Sequence, residues 1–230
     1  MTGHKMRRRV IGNEHSFTTQ LLMPKSSRSA EYRFKRPLDL IIVIVGHLAL
    51  APIMIAMWVI IALAIWFEDR GSVFFSQDRI GKNGSVITVL KFRTMIPDAD
   101  KKGLAWTVEN DLRLTRTGRF IRKSGLDELP QVLSILKGDL SFVGPRPLPI
   151  AEQRLLETKI LGFEQRLKVR PGLTSLAKVY NSDDGAEAKL QFDLEYIRSM
   201  SLVLDLKLIL LSVWMMMRGR SDRRSGKSRM

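Results

Sequence analysis

The chain has 230 residues, enough for one or two domains with a full core, and no cysteine, which excludes a disulfide framework, a thiolate metal site and a thiol nucleophile. Its formal net charge is +15, and most of that sits in the tails: residues 1–36 carry nine Lys/Arg against two acids, and residues 218–230 carry six against one. Basic tails of this kind serve either nucleic acid or anionic lipid.

Residues 1–32 are polar, basic and aperiodic, and disorder is expected there. The late start of the apolar run after them, with no small-residue cleavage pattern behind it, argues against a secretory signal. Residues 40–67 form a 28-residue apolar stretch interrupted only by Gly46, His47 and Pro52. That exceeds the roughly 20 residues needed to span a bilayer, so an ordinary buried core helix is disfavoured. Arg33, Lys35 and Arg36 precede the stretch, and the positive-inside rule places that flank in the cytoplasm. Pro52 removes a backbone donor near the middle and is positioned to break the helix. Two topologies are open: a straight span, or a re-entrant hairpin with both ends on one side. The segment alone favours the span, because irregular backbone in lipid is costly.

Strand character marks Val73 to Phe75 and Val86 to Leu90, joined by a turn at Gly81-Lys82-Asn83-Gly84. Lys91 and Arg93 come next and read first as solvated charges. Residues 97–110 are loop-like. Arg113, Arg116 and Arg119 share helical spacing, which suits either a solvated face or an electropositive surface for phosphate or lipid headgroups. Asp127 and Glu128 stand next to each other ahead of Pro130, which is tolerated only in a first helical turn. A helix is therefore expected from about Asp127, with Leu129, Val132, Leu133 and Leu136 on its buried face. Ser124 with Asp127 has the look of a capping box, although Pro130 speaks against a helix start at Ser124. Acids at a helix start interact favourably with its dipole, and phosphate favours the same position.

Leu140 to Val143 is extended and leads into Gly144-Pro145-Arg146-Pro147, where two prolines hold one guanidinium in place for bidentate contact with a phosphate. Residues 151–161 are helical. Arg170-Pro171-Gly172-Leu173-Thr174 is a second rigid turn, followed by an extended 177–180. Helices are expected over 186–200 and 202–217. The second is short for a span and suits either the core or the bilayer interface, with Trp214 at headgroup depth. His4, His15 and His47 show no metal-ligand spacing, so no zinc site is expected.

Six blocks then occur in order: Lys91-Phe92-Arg93-Thr94-Met95, Leu126-Asp127-Glu128-Leu129-Pro130-Gln131, Lys137-Gly138-Asp139-Leu140-Ser141, Gly144-Pro145-Arg146-Pro147, Arg170-Pro171-Gly172-Leu173-Thr174 and Asp193-Leu194-Glu195-Tyr196. With an apolar segment ahead of them, they closely resemble the bacterial sugar transferase family, the monotopic polyprenyl-phosphate phosphoglycosyl transferases. The likeness covers about residues 35–217. It implies an α+β monotopic membrane protein with a re-entrant helix broken near Pro52, interfacial amphipathic helices and a small cytoplasmic α/β catalytic region. The expected division is a basic tail over 1–32, the re-entrant helix over 33–67, the catalytic domain over 68–217 and a basic tail over 218–230. Members commonly have Ser before the helix-breaking proline, where this chain has Ala51.

The implied reaction moves a sugar 1-phosphate from a UDP-sugar to undecaprenyl phosphate at the cytoplasmic face of the bacterial inner membrane, releasing UMP. Asp127 is the expected nucleophile, forming an aspartyl-phosphosugar. Glu128 is expected to hold Mg²⁺, with acid–base chemistry as its other role. Lys91, Arg146, Pro147 and Asp193 are expected at the substrate, Asp193 as a metal-side or structural acid. Membrane lipids are expected partners, nucleic acid is not, and a homodimer is compatible with the resemblance. Nucleotide sugars are made in the cytoplasm, so a straight span from a cytoplasmic N-terminus would strand Asp127 away from its donor. Only a hairpin, or a reversed span, keeps the site with its donor, and the hairpin is the preferred reading.

Two rival readings fit parts of the chain. A non-enzymatic membrane-anchored basic protein that binds anionic lipid or nucleic acid explains the tails and the apolar run, but not an acidic pair beside rigid Arg loops. An enzyme that transfers directly, with no covalent intermediate, explains the pair.

Overall fold

The computed structural model describes residues 31–99, 111–181 and 185–218. The two tail expectations, 1–32 and 218–230, therefore lie almost wholly outside the described residues. Two helices open the chain, α1 (Lys35–Ala49) and α2 (Ala51–Asp69). They meet at Leu50 (φ −111°, ψ 15°), with Pro52 at the start of α2, where its missing N–H costs nothing. Among the described residues α2 alone is long and apolar enough to cross a membrane.

The outer ends of both helices pack on the same body. On α1, Val43 joins a core with Ile87, Val89, Ile135 and Leu140. On α2, Ile61 and Ile65 join a core with Phe92 and Ile121. Trp58 meets the Phe92 ring edge-on at 5.4 Å. Elsewhere the pair presents large apolar side chains outward, among them Ile41, Leu48, Ile53, Ile55 and Ile60.

The expected strands form as an antiparallel hairpin, β1 (Phe74–Ile80) and β2 (Val86–Phe92), with Phe75 opposite Lys91 and Arg79 opposite Ile87. Side chains alternate across a strand. Phe75, Gln77, Arg79, Ile87, Val89 and Lys91 therefore share one face, while Phe74 and Phe92 stack at 5.4 Å on the other, towards α2. Helix α3 (Arg116–Ser124) comes next. The Thr115 side chain caps its N-terminus, and the Glu68 carboxylate at the end of α2 accepts from the Arg116 and Thr117 amides at 2.6 and 3.0 Å.

Arg113 lies ahead of this helix and pairs with Asp111 at 2.7 Å, so it does not share a helical face with Arg116 and Arg119 as its spacing suggested. The α-helix expected from Asp127 is instead a 3₁₀ turn over Leu126–Gln131, and α4 (Val132–Lys137) begins only after it. The tighter turn shifts the helical phase of the residues after it, so Gln131, Ser134 and Ile135 are buried, whereas Leu133 and Leu136 are exposed. Ser124 does not cap this turn; its hydroxyl donates back to Phe120 and Ile121 at the end of α3.

The second half of the chain comprises β3 (Ser141–Val143), α5 (Ile150–Lys159), a 3₁₀ turn (Phe163–Lys168), β4 (Gly172–Thr174), α6 (Leu176–Tyr180), α7 (Ala186–Ser199) and α8 (Leu202–Met217). Strands β3 and β4 are parallel. The segment expected to be extended over 177–180 is helical because the Ser175 side chain caps it, accepting from the Lys178 amide at 3.0 Å. Val143, Phe163, Val169, Leu190, Leu194, Tyr196 and Leu208 form the core of this half.

Charge, not apolar packing, ties α1 to that core. Lys35 is fully buried; its ammonium sits 2.7 Å from Asp205 on α8 and donates to the Tyr196 hydroxyl at 2.8 Å. Tyr32 and Tyr196 donate to the two Asp205 oxygens at 2.7 and 2.8 Å. Asp39, one turn along, accepts from the Ser141 hydroxyl and the Phe142 amide. Arg36 donates to the C-terminal carbonyls of α4, Ile135 and Leu136. Lys35 and Arg36, read from sequence as flanking signals, are thus internal fasteners. Replacing Lys35 by Met strands Asp205 without its counter-charge. Thermal and denaturant unfolding should show a loss of roughly 3–5 kcal/mol, and the Lys35→Met/Asp205→Leu double variant should recover most of it.

Candidate active site

The acidic pair sits where three local geometries meet. Gly125 ends α3 in the left-handed region (φ 73°), which a Cβ would disfavour, and turns the chain into the 3₁₀ segment carrying Asp127 and Glu128. Strand β2 brings Lys91, whose ammonium lies 3.2 Å from Glu128 Oε1. The loop after β3 brings Arg146, at 3.3 Å from the same oxygen. Helix α6 brings Lys178, at 3.5 Å from Oε2. These are loose ionic contacts, longer than the usual 2.7–2.9 Å of a tight charged pair, and Arg146 keeps 48 % of its side chain exposed. Cations held this way can exchange a carboxylate for a phosphate without being unpacked.

The Arg146 loop is mounted from behind. Gly144 and Gly172 pass so closely that a Cβ on Gly144 would lie 2.3 Å from the Arg170 carbonyl, and one on Gly172 would lie 2.1 Å from the Gly144 nitrogen. Only glycine permits that approach, and it is sealed by Gly144 N–H to Thr174 O and Gly172 N–H to Pro145 O, both 3.0 Å. Arg166 then donates to the Arg146 carbonyl at 2.7 Å, and Arg79 donates to the Pro147 carbonyl.

Electrostatics separate the two acids. Burial, then the charge of Glu128, pushes the Asp127 carboxyl up to about 6, against the pull of Lys91, Arg122 and Arg146. Burial works to raise Glu128 as well, yet Lys91, Lys178 and Arg146 together hold it well below the usual carboxylate range. Burial also lowers the Lys91 ammonium, with Glu128 opposing. Glu128 is thus a fixed negative charge inside a ring of cations. Asp127, pushed up by burial and by that charge, is less stabilised as an anion.

Of the residues expected at the site, Lys91, Asp127, Glu128 and Arg146 are brought together, and Pro147 lies in the same loop. Lys91, read at first as a solvated charge, is engaged with Glu128. Arg93 serves the fold instead, pairing with Asp69 at the end of α2. The structure does not bring Asp193 to the cluster: it is buried on α7 against Arg166 at 2.8 Å, and Arg166 also reaches Gln153. Asp193 therefore supports the Arg146 loop at one remove. Sequence reading missed Lys178 and Arg79. The Thr174-Ser175 pair ahead of Leu-Ala-Lys is a helix-start signal that would have placed Lys178, and the alternation Phe75, Gln77, Arg79 would have turned Arg79 inward.

No three His, Cys, Asp or Glu side chains among the described residues are grouped to cage a metal. The adjacent carboxylates fit a hard cation such as Mg²⁺ that takes one or two acids and completes its shell with phosphate oxygens and water.

The profile described as "Bacterial sugar transferase" matches residues 30–219. A Klebsiella pneumoniae protein named UDP-glucose:undecaprenyl-phosphate glucose-1-phosphate transferase is 36% identical over 187 residues, 79% of this chain and 39% of the relative. A Caulobacter vibrioides protein of the same name is 37% identical over 78% of this chain and 68% of its own length. The Exopolysaccharide production protein PSS of Rhizobium leguminosarum bv. phaseoli is 38% identical over 76% and 90% respectively. The chain thus spans well under half of the Klebsiella relative and most of the Rhizobium one.

The elevated Asp127 value has a stability consequence. A carboxyl that titrates higher folded than unfolded binds more protons in the folded state, so stability falls as pH rises from about 4 through about 6. Asp127→Asn should therefore stabilise the fold at pH 7.5 by roughly 1–3 kcal/mol, with the gain vanishing near pH 4. Thermal unfolding of the two proteins across that range measures it.

Proposed function

The chain belongs to the bacterial sugar transferase family, and from that premise we propose that it transfers a sugar 1-phosphate from a UDP-sugar to undecaprenyl phosphate, releasing UMP and beginning a lipid-linked glycan. The observation that carries this reading is the convergence of Lys91, Arg146 and Lys178, from three separate elements, on the carboxylate beside Asp127. A donor diphosphate brings negative charge to a buried acid, and attack needs that repulsion cancelled. Three cations in loose contact with Glu128 supply the cancellation by turning to the phosphates.

Asp127 attacks the phosphorus bearing the sugar. The new bond is an aspartyl phosphate, the bond to the bridging oxygen breaks, and UMP leaves with that electron pair. An oxygen of the polyprenyl phosphate then attacks the same phosphorus, restoring the Asp127 carboxylate and forming the lipid diphosphate. Glu128 is the residue that would hold Mg²⁺, which would supply counter-charge to the phosphate as negative charge develops there. Arg146 and Pro147 present the donor's phosphate side, on a mount kept in place by Gly144, Arg166 and, through Arg166, Asp193.

The membrane reading is a re-entrant hairpin with the catalytic region on the cytoplasmic face of the inner membrane. It is supported by the break at Leu50–Pro52 and by the return of both outer helix ends to one body: Lys35 to Asp205 at the start, Glu68 to α3 at the finish. The exposed apolar surface near the break is what would enter lipid.

Purified protein with Mg²⁺, undecaprenyl phosphate and a panel of UDP-sugars should release UMP from one donor or a few. Exchange of labelled UMP into that donor should proceed without acceptor, as a two-step route requires and direct transfer forbids. Asp127→Asn, which keeps or gains stability, should lose both activities by at least about a thousandfold. Full turnover in that variant would sink the nucleophile assignment.

A further inference from the structure

The three cations facing Glu128 divide between its two oxygens. Lys91 at 3.2 Å and Arg146 at 3.3 Å both address Oε1, whereas Lys178 addresses Oε2 at 3.5 Å. Lys91 and Arg146 draw on both acids, and Arg122 joins them on Asp127, while Lys178 exerts its pull on Glu128. Lys178 thus approaches the acidic pair from another side than the two cations with which it shares Glu128. Its mounting is separate as well. The Ser175 cap of α6 accepts from the Lys178 main-chain amide, not from the side chain. The ammonium makes a second long contact, 3.4 Å, to the Leu173 carbonyl, and 32 % of the side chain is exposed. It can give up these contacts for an entering anion without disturbing the helix that carries it.

In-line displacement at phosphorus fixes where each reacting group must lie. Asp127 takes one apical position in both steps of the proposed route. UMP departs from the opposite apical position, and the polyprenyl phosphate enters at that same position. The oxygens of the phosphoryl group between them fall to the cations that act on Asp127, Lys91 and Arg146. The apical group needs a cation of its own, because a phosphate monoester carries roughly two negative charges at neutral pH, where each phosphate of the donor diphosphate carries one. Resting on that two-step reading, we infer that Lys178 binds this apical monophosphate, UMP as it leaves and the polyprenyl phosphate as it arrives, and so serves both half-reactions through one contact. It supplies charge and transfers no proton. The electron pair of the breaking bond goes to UMP in the first step and back to the Asp127 carboxylate in the second.

The test compares three Michaelis constants in the full chain, in Lys178→Gln and in Lys178→Arg. With Mg²⁺ and the UDP-sugar that the wild-type chain accepts, exchange of labelled UMP into the donor gives the KM for UMP and for the donor. Transfer to undecaprenyl phosphate gives the KM for the acceptor. A charge-assisted contact is worth roughly ten- to a hundredfold in affinity. In Lys178→Gln the KM for UMP and the KM for undecaprenyl phosphate should therefore rise together by at least about tenfold, while the KM for the donor changes by less than about threefold. Lys178→Arg, which keeps the charge, should restore much of both losses. A merely structural role for Lys178 in α6 would not separate the two monophosphates from the donor.

Unchanged constants in Lys178→Gln overturn the assignment, as does a donor KM that rises as far as the other two. A rise for undecaprenyl phosphate without one for UMP overturns the shared apical position. In each of these outcomes the wild-type chain still turns over and the proposed transfer stands. A wild-type chain that releases no UMP from any UDP-sugar overturns the transfer itself, and the role of Lys178 with it.

Discussion

Two adjacent carboxylates, one buried and the other nearly so, set the terms for the rest of this fold. Nothing apolar can hold such a pair. The chain has to deliver cations to it, and does so from β2, from the loop after β3 and from α6, stretches separated by some thirty to ninety residues of sequence. Each of those elements then needs its own reason to be where it is. The hairpin register turns Lys91 inward, the paired glycines fix the Arg146 loop, and the Ser175 cap folds α6 just far enough to carry Lys178. The charges are unequal in outcome as well as in position. Glu128 collects the cations and stays ionised, and Asp127 is left the more easily protonated partner.

The apolar helices are held to this body by polar means at both ends. Lys35, Arg36 and Asp39 fasten α1 to α8, α4 and β3, while Glu68 and Asp69 fasten α2 to α3 and Arg93. In the proposed membrane hairpin apolar packing alone would be a poor latch, because lipid solvates a leucine as well as a protein core does. Ion pairs and hydrogen bonds at the base of the hairpin have no such competitor. The helices can therefore be greasy along most of their length and still dock in one way.

Much of the site was legible because its chemistry is local in sequence: Asp127-Glu128 and Gly144-Pro145-Arg146-Pro147 announce themselves by residue type. The long apolar stretch and the break within it were legible by length and by Pro52. Pairings across long separations were not. Lys35 looked like a topology signal and is the partner of Asp205, 170 residues away. Asp193 was open between a metal-side and a structural acid, and its burial against Arg166 fits the structural one. The phase error at Leu133 and Leu136 has a local cause: a 3₁₀ turn around Pro130 advances the chain differently from an α-helix, and periodicity counted through it drifts.

The contact between Gly144 and Gly172 separates what the Arg146 loop presents from what keeps it in place. Main chain grips main chain, so side chains at the loop's tip carry no burden of support. Substitutions at the tip can therefore change what the loop presents without redesigning the core beneath. The same contact forbids a side chain at two positions and leaves their neighbours free to vary.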